Sequence, residues 1–145
     1  MTQDITKKYN NIRKKNFFVE LLPFIGGGTS TAIYPNVYLS RKVYKSVYSK
    51  DPDPYRISTL LHEEEHIRRI EQKGVLKWYF LYMVDRHFRF EEELQATVVQ
   101  LAYIKDLGLT IDLEKRAHAL SGILYLWQIS YKKALEKLTD SWDNL

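Results

Sequence analysis

The stretch "STLLHEEEHIRRIEQKG", residues 58–74, decides how the chain is read. Ile57, Leu60, Leu61, Ile67 and Ile70 recur at helical spacing around it, whereas alternation at period two fails. Asp53-Pro54 or Ser58 can start the helix and Gly74 can stop it. The helix then carries two imidazoles, His62 and His66, one turn apart around a run of three glutamates. Such a helix is either a solvated, charge-rich surface element or one that turns both imidazoles to a single ion on one face.

Composition limits the choices. The chain has 145 residues, 45% of them hydrophobic, with eleven tyrosines. This is enough for one folded domain, expected over residues 1–145, and argues against disorder. There is no cysteine, which removes disulfides, thiolate metal sites and cysteine nucleophiles together; any metal must be held by His, Asp or Glu. The net charge of +4 is modest and its basic residues are spread over several segments, so no nucleic-acid partner is expected. The densest basic patch, "KKYNNIRKK", precedes "FFVELLPFI", an order that resembles the start of an export leader. Glu20 and Pro23 interrupt that apolar run, and its length of about nine residues is far below the ~20 that a bilayer requires. No membrane span is expected, and the protein reads as cytoplasmic in the producing cell.

Outward from the central helix, residues 1–15 read as a mobile basic arm and Gly26 to Ser30 as a flexible turn. Thr31 to Ser40 is rich in β-branched and aromatic residues broken by Pro35 and Asn36, which predicts two short strands or one kinked edge strand. "SKDPDPY" reads as a loop. "VLKWYFLYMVDRHFRF" is aromatic and helical over its first half, and "EEELQATVVQLAYIKDLG" is a second strong helix ending near Gly108. From Thr110 to Trp142 two more helices are expected, with a break at Ser121-Gly122 or a cap at Ser130. The fold class is therefore α+β and helix-dominated: a small N-terminal β hairpin or edge strand on the histidine helix, a second Glu-bearing helix, and C-terminal helices. Leu124, Trp127, Leu135 and Leu138 form a stripe that covers the core or meets a partner.

His62-Glu63-Glu64-Glu65-His66 fits H-E-x-x-H. Zinc accepts neutral imidazole nitrogens and lowers the pKa of a bound water to around 7. Glu63, beside the first histidine, is placed to take the proton of that water and pass it to a leaving amine. A catalytic site also needs a third protein ligand. Position 72, where a third histidine would continue the pattern, is Gln72. His87 lies within "DRHFRF" and stays open as a candidate. On a helical wheel, Phe90, Leu94, Thr97, Val98, Leu101 and Ile104 form the apolar stripe of the second helix. Glu92 points away from that stripe; Glu93 lies roughly 70° from its centre and Glu91 roughly 90° on the other side, so the wheel favours Glu93 only slightly. Arg68, Arg69 and Lys73 read as a solvated face, and Arg86 and Arg89 as partners for the nearby glutamates.

Glu93-Leu94-Gln95-Ala96 fits E-x-x-A, and with this the chain resembles the gluzincin branch of zinc metallopeptidases. More narrowly, it looks like the small single-domain gluzincin-like proteins of phages and bacteria. The resemblance rests on Ile33-Tyr34, His62 to His66, Gly74, Trp78-Tyr79-Phe80 with Tyr82, and Phe88-Arg89 ahead of Glu93 and Ala96, covering about residues 29–105. It implies a minimal zincin-like fold, one Zn2+ held by His62, His66 and Glu93, and hydrolysis of a peptide or amide bond with Glu63 as general base and acid. It also implies a peptide or protein substrate, either a cell-wall peptide or a phage or virion protein, and virion association if the gene is phage-encoded. An edge strand of Ala32, Ile33, Tyr34, Val37 and Tyr38 would bind that substrate by strand addition.

One departure is Thr97, where many gluzincins carry an aspartate that supports a ligand imidazole; a hydroxyl can hydrogen-bond but cannot raise ligand basicity in the same way. The residue that stabilises the oxyanion, or supports a ligand, is open among Tyr79, Tyr82, His87, Thr97 and Tyr103. The alternative reading is a metal-binding but non-catalytic structural or interaction protein, such as a phage particle component. Glu63 discriminates, because a purely structural site has no use for it.

Overall fold

Sheet, short helix and long helix follow one another along the N-terminal half of the computed structural model, which describes residues 11–15, 29–122 and 129–145. Among the described residues three strands, β1 (Ile12–Lys14), β2 (Thr31–Ile33) and β3 (Asn36–Leu39), precede six helices. These are α1 (Arg41–Val47), α2 (Pro54–Lys73), α3 (Val75–Val84), α4 (Arg86–Asp106), α5 (Leu113–Leu120) and α6 (Tyr131–Asp143). The chain forms two compact units, Met1–Arg68 and Arg69–Leu145, with the division falling inside α2. The helix-dominated α+β class expected from the sequence is the one observed.

In the first unit β3 is central, with β1 parallel on one side and β2 antiparallel on the other. Ile12 is registered with Val37 and both are buried; Leu39 on the same face of β3 is also buried, as period-two alternation requires. This corrects two expectations. Residues 12–15 are not part of a mobile arm: they pair with β3, and Lys15 is only 1% exposed. The Lys15 Nζ donates to the Thr29 carbonyl at 2.8 Å and to Thr31 Oγ1 at 2.8 Å. A lone apolar residue among cations carries no strand signal in one dimension; pairing supplies it. The second correction concerns the proposed edge strand. Ala32 and Ile33 do lie on an outer strand, and Tyr34 in the turn, but Val37 and Tyr38 sit in the central strand, whose backbone groups are engaged on both sides.

Helix α1 had no counterpart in the sequence reading. Ser40 caps it, its Oγ accepting from the Val43 amide at 3.5 Å, and Val43 and Val47 are buried where it packs on β3. Helix α2 begins as expected at Pro54, with Asp53 Oδ1 accepting from the Tyr55 amide at 2.9 Å. It ends at Gly74, whose φ of +88° suits glycine alone among the common residues. Ile57, Leu60 and Ile70 of its predicted stripe are fully enclosed.

In the second unit, the segment 75–90 is not one half-helical stretch. Asp85 separates α3 from α4 and caps α4 by accepting from the His87 and Phe88 amides at 2.8 and 3.1 Å. Helix α4 therefore starts at Arg86 rather than Glu91. Phe90, Leu94 and Leu101 of its apolar stripe join Ala117 and Leu120 of α5 and Ala134 and Leu138 of α6 in one core. Asp112 and Ser130 cap α5 and α6, and α5 stops at Ser121, close to the expected break. Leu135 and Leu138 of the C-terminal stripe pack on this core; Leu124 and Trp127 lie outside the described residues, as do most of the basic arm, the "FFVELLPFI" run and Gly26 to Gly28. Among the described residues no helix is long and apolar enough to cross a membrane.

Candidate metal centre

Helix geometry puts His62 and His66 on one face of α2, and both side chains are buried. Their Nε2 atoms are 3.2 Å apart with the rings nearly perpendicular. Two nitrogens each 2.0–2.1 Å from a tetrahedral zinc would be about 3.3 Å apart, so the observed separation is the edge that such an ion needs. The same 3.2 Å also suits a hydrogen bond between one protonated and one bare Nε2; for both to face a cation, each ring must carry its proton on Nδ1.

The three consecutive glutamates of α4 have different surroundings. Glu91 is exposed and accepts from Gln95 Nε2 at 2.8 Å. Glu92 is 1% exposed and takes both guanidinium arms of Arg69, at 2.7 and 2.8 Å, the Trp78 indole N–H at 2.8 Å and the Lys73 ammonium at 3.0 Å. Burial alone would raise its pKa, but these donors outweigh that and hold the carboxyl below the usual carboxylate range. Glu93 is buried, and its Oε1 accepts from the Tyr82 hydroxyl. His62, His66 and Glu93 each offer one ligand atom, and these atoms lie within 4.8 Å of one another.

This buried set of two imidazoles and one carboxylate could hold a metal ion. Its donors fit a borderline cation such as zinc, and they exclude a soft, thiolate-selecting site. Glu63, next to His62 on α2, is also buried.

Several expected positions lie elsewhere. His87 is exposed in the first turn of α4 with its amide on Asp85, which removes it as the third ligand. Thr97 is buried one turn beyond Glu93. Tyr103, whose pKa burial raises, follows Glu93 by ten residues, about 15 Å along the helix axis. Tyr79 stands edge-on to Trp78. Tyr82 is bonded to a candidate ligand, Glu93.

Three charge assignments also change. Arg69 and Lys73 are not a solvated face, because they neutralise Glu92; Arg68 is, bonding the neighbouring Glu65 from an exposed position. Arg89 does not pair with a glutamate in its own run: it donates to the Tyr82 and Met83 carbonyls at 2.8 and 2.9 Å. The buried polar residues Arg89, Glu92 and Gln100 were not expected, because hydrophobic periodicity scores them as outward-facing; with Glu93 and Ala96 they recur every 3–4 residues, which is the signal that the sequence offers.

Two surface depressions of the second unit, about 420 and 530 Å³, are lined by residues of α4 and α6 and by the start of α4 with the α5–α6 connection; neither is lined by His62, His66 or Glu93. Comparison with known proteins found no protein-family model, no curated protein and no solved structure that matches this chain.

Proposed function

We propose that the protein is a zinc-dependent hydrolase of peptide or related amide bonds, of gluzincin-like type. The observation that carries this reading is the buried His62, His66 and Glu93 set, with ligand atoms within 4.8 Å of one another and an ionisable neighbour, Glu63, buried beside the first ligand. His62 and His66 would hold the ion through Nε2 and Glu93 through a carboxylate oxygen. Zinc bound there would supply Lewis acidity, acidifying water and polarising an amide carbonyl. Glu63 takes a proton from the attacking water onto a carboxylate oxygen and returns it to the leaving amine nitrogen. Burial keeps bulk water from the two carboxylates and strengthens each polar contact they make.

The substrate class is an extended peptide or protein segment, with a cell-wall peptide or a virion protein as the two candidates. The outer strand β2, with Ala32 and Ile33, would take the substrate by strand addition; Tyr38 in the central strand would contribute through its side chain only, and Val37 is buried and takes no part. A structural metal site would use the same ligands and is the second reading, favoured by the burial of all three. Glu63→Gln separates the two. The hydrolase reading expects zinc to stay bound while turnover of a peptide library falls by at least ~10³-fold, the scale of losing a general base together with its electrostatic role. Turnover that survives the substitution contradicts the mechanism, and a wild-type protein that binds zinc but cleaves nothing favours the structural site.

A further inference from the structure

Helix α3 offers two polar ring groups one turn apart, and each meets a different one of two adjacent acids on α4. Trp78 donates its indole N–H to Glu92 Oε2 at 2.8 Å, and Tyr82 donates its hydroxyl to Glu93 Oε1. The two rings are stacked, 4.5 Å between centroids with 17° between planes. Side chains at i and i+4 of a helix share a face, whereas consecutive residues of α4 diverge by about 100°; the stacked pair thus spans the divergence and addresses both carboxylates at once.

Tyr82 is held on its other sides as well. The Arg89 guanidinium lies 5.7 Å from the ring centroid and donates to the Tyr82 carbonyl at 2.8 Å and the Met83 carbonyl at 2.9 Å, closing the C-terminal end of α3. A phenol so fixed has its hydroxyl direction determined by packing, not by the carboxylate that it meets.

We propose that Tyr82 is a positioning residue for the metal centre: its hydroxyl engages Glu93 Oε1, so that Glu93 would offer a bound ion its other oxygen alone. This rests on the metal-site reading above and deepens it. A hydroxyl donating to an ionised carboxylate is a strong, directional bond, and it restrains the one ligand that could otherwise swing to bind through both oxygens.

The test compares wild type with Tyr82→Phe, which keeps the ring, its stack on Trp78 and the guanidinium above it. Zinc affinity is measured by competition with a chromogenic chelator, the metal-free proteins are melted, and the cobalt-loaded proteins are compared by visible absorption. The expected result is a roughly 10–100-fold loss of zinc affinity, the usual cost of removing a ligand's hydrogen-bond partner. The metal-free melting temperature should stay within about 2 °C, and the cobalt bands should weaken as the freed carboxylate adds a fifth donor. Equal affinity and identical cobalt spectra would overturn the role of Tyr82 and leave the metal site standing. A loss of affinity accompanied by a collapse of the metal-free melting temperature marks Tyr82 as packing only, and also overturns it. If wild type takes up no zinc, the metal-site reading and this one fall together.

Discussion

Glu91, Glu92 and Glu93 are chemically identical neighbours with three different environments: water and Gln95, a cage of Arg69, Lys73 and Trp78, and the hydroxyl of Tyr82. Position on the helix decides, because successive residues turn through about 100° and meet different neighbours. The cage around Glu92 makes it a structural acid. Removing it by Glu92→Ala leaves Arg69 and Lys73 without their counter-charge; since both cations are partly exposed, the cost is placed at the low end for a buried pair, about 3 kcal/mol. A thermal melt should show a fall of about 10 °C at this chain length, and a change under ~2 °C would show that solvent screens the cluster. The histidines and Glu63 were legible in one dimension, since H-E-x-x-H brings its own geometry. Glu93 over Glu91 was only half legible. A wheel built on hydrophobicity finds the side that packs on oil, and it is blind to a second buried side built from Arg89, Glu92 and Gln100, where salt bridges and hydrogen bonds replace apolar contact.

At the scale of elements, caps and stops were the readable signals: Pro54 after Asp53, Gly74, and Ser130 each fall at a helix end. Asp85 carried no cap signal because its aromatic segment reads as helical over the first half only, with the next helix starting at Glu91, yet it accepts two amides and begins α4. Those backbone hydrogen bonds are the main reason that its carboxyl is held below the ordinary range, with the charges of His87 and Arg89 assisting. A carboxyl whose folded pKa is lowered contributes stability above its unfolded pKa and loses it as pH falls through the folded value. Asp85→Asn keeps an acceptor but removes the charge at the α4 N-terminus. Wild type should therefore melt higher than Asp85→Asn at neutral pH, with the gap closing as the pH drops below the carboxylate range; a gap that is constant from pH 7 to pH 3 would contradict the assignment. The strands were legible only in part. Pro35 and Asn36 marked the turn between β2 and β3, but β1 depends on parallel pairing with a segment more than twenty residues away, and local sequence has no record of such a partner.

For the molecule as a whole, the absence of cysteine and the modest positive charge narrowed the chemistry to His and carboxylate ligands before any fold was known. In the proposed metal centre the ligand atoms of His62, His66 and Glu93, which lie within 4.8 Å of one another, would hold one ion, while Glu91, two residues away and of the same chemistry, has no part in it. Elemental analysis of protein purified without added metal, then offered zinc at neutral pH, tests this most directly in wild type, Glu93→Ala and Glu91→Ala. About one zinc per chain is expected in wild type and Glu91→Ala, as a single three-ligand site requires, with a large loss in Glu93→Ala. A wild-type chain that remains metal-free, or a Glu93→Ala chain that keeps its zinc, would contradict the proposed centre.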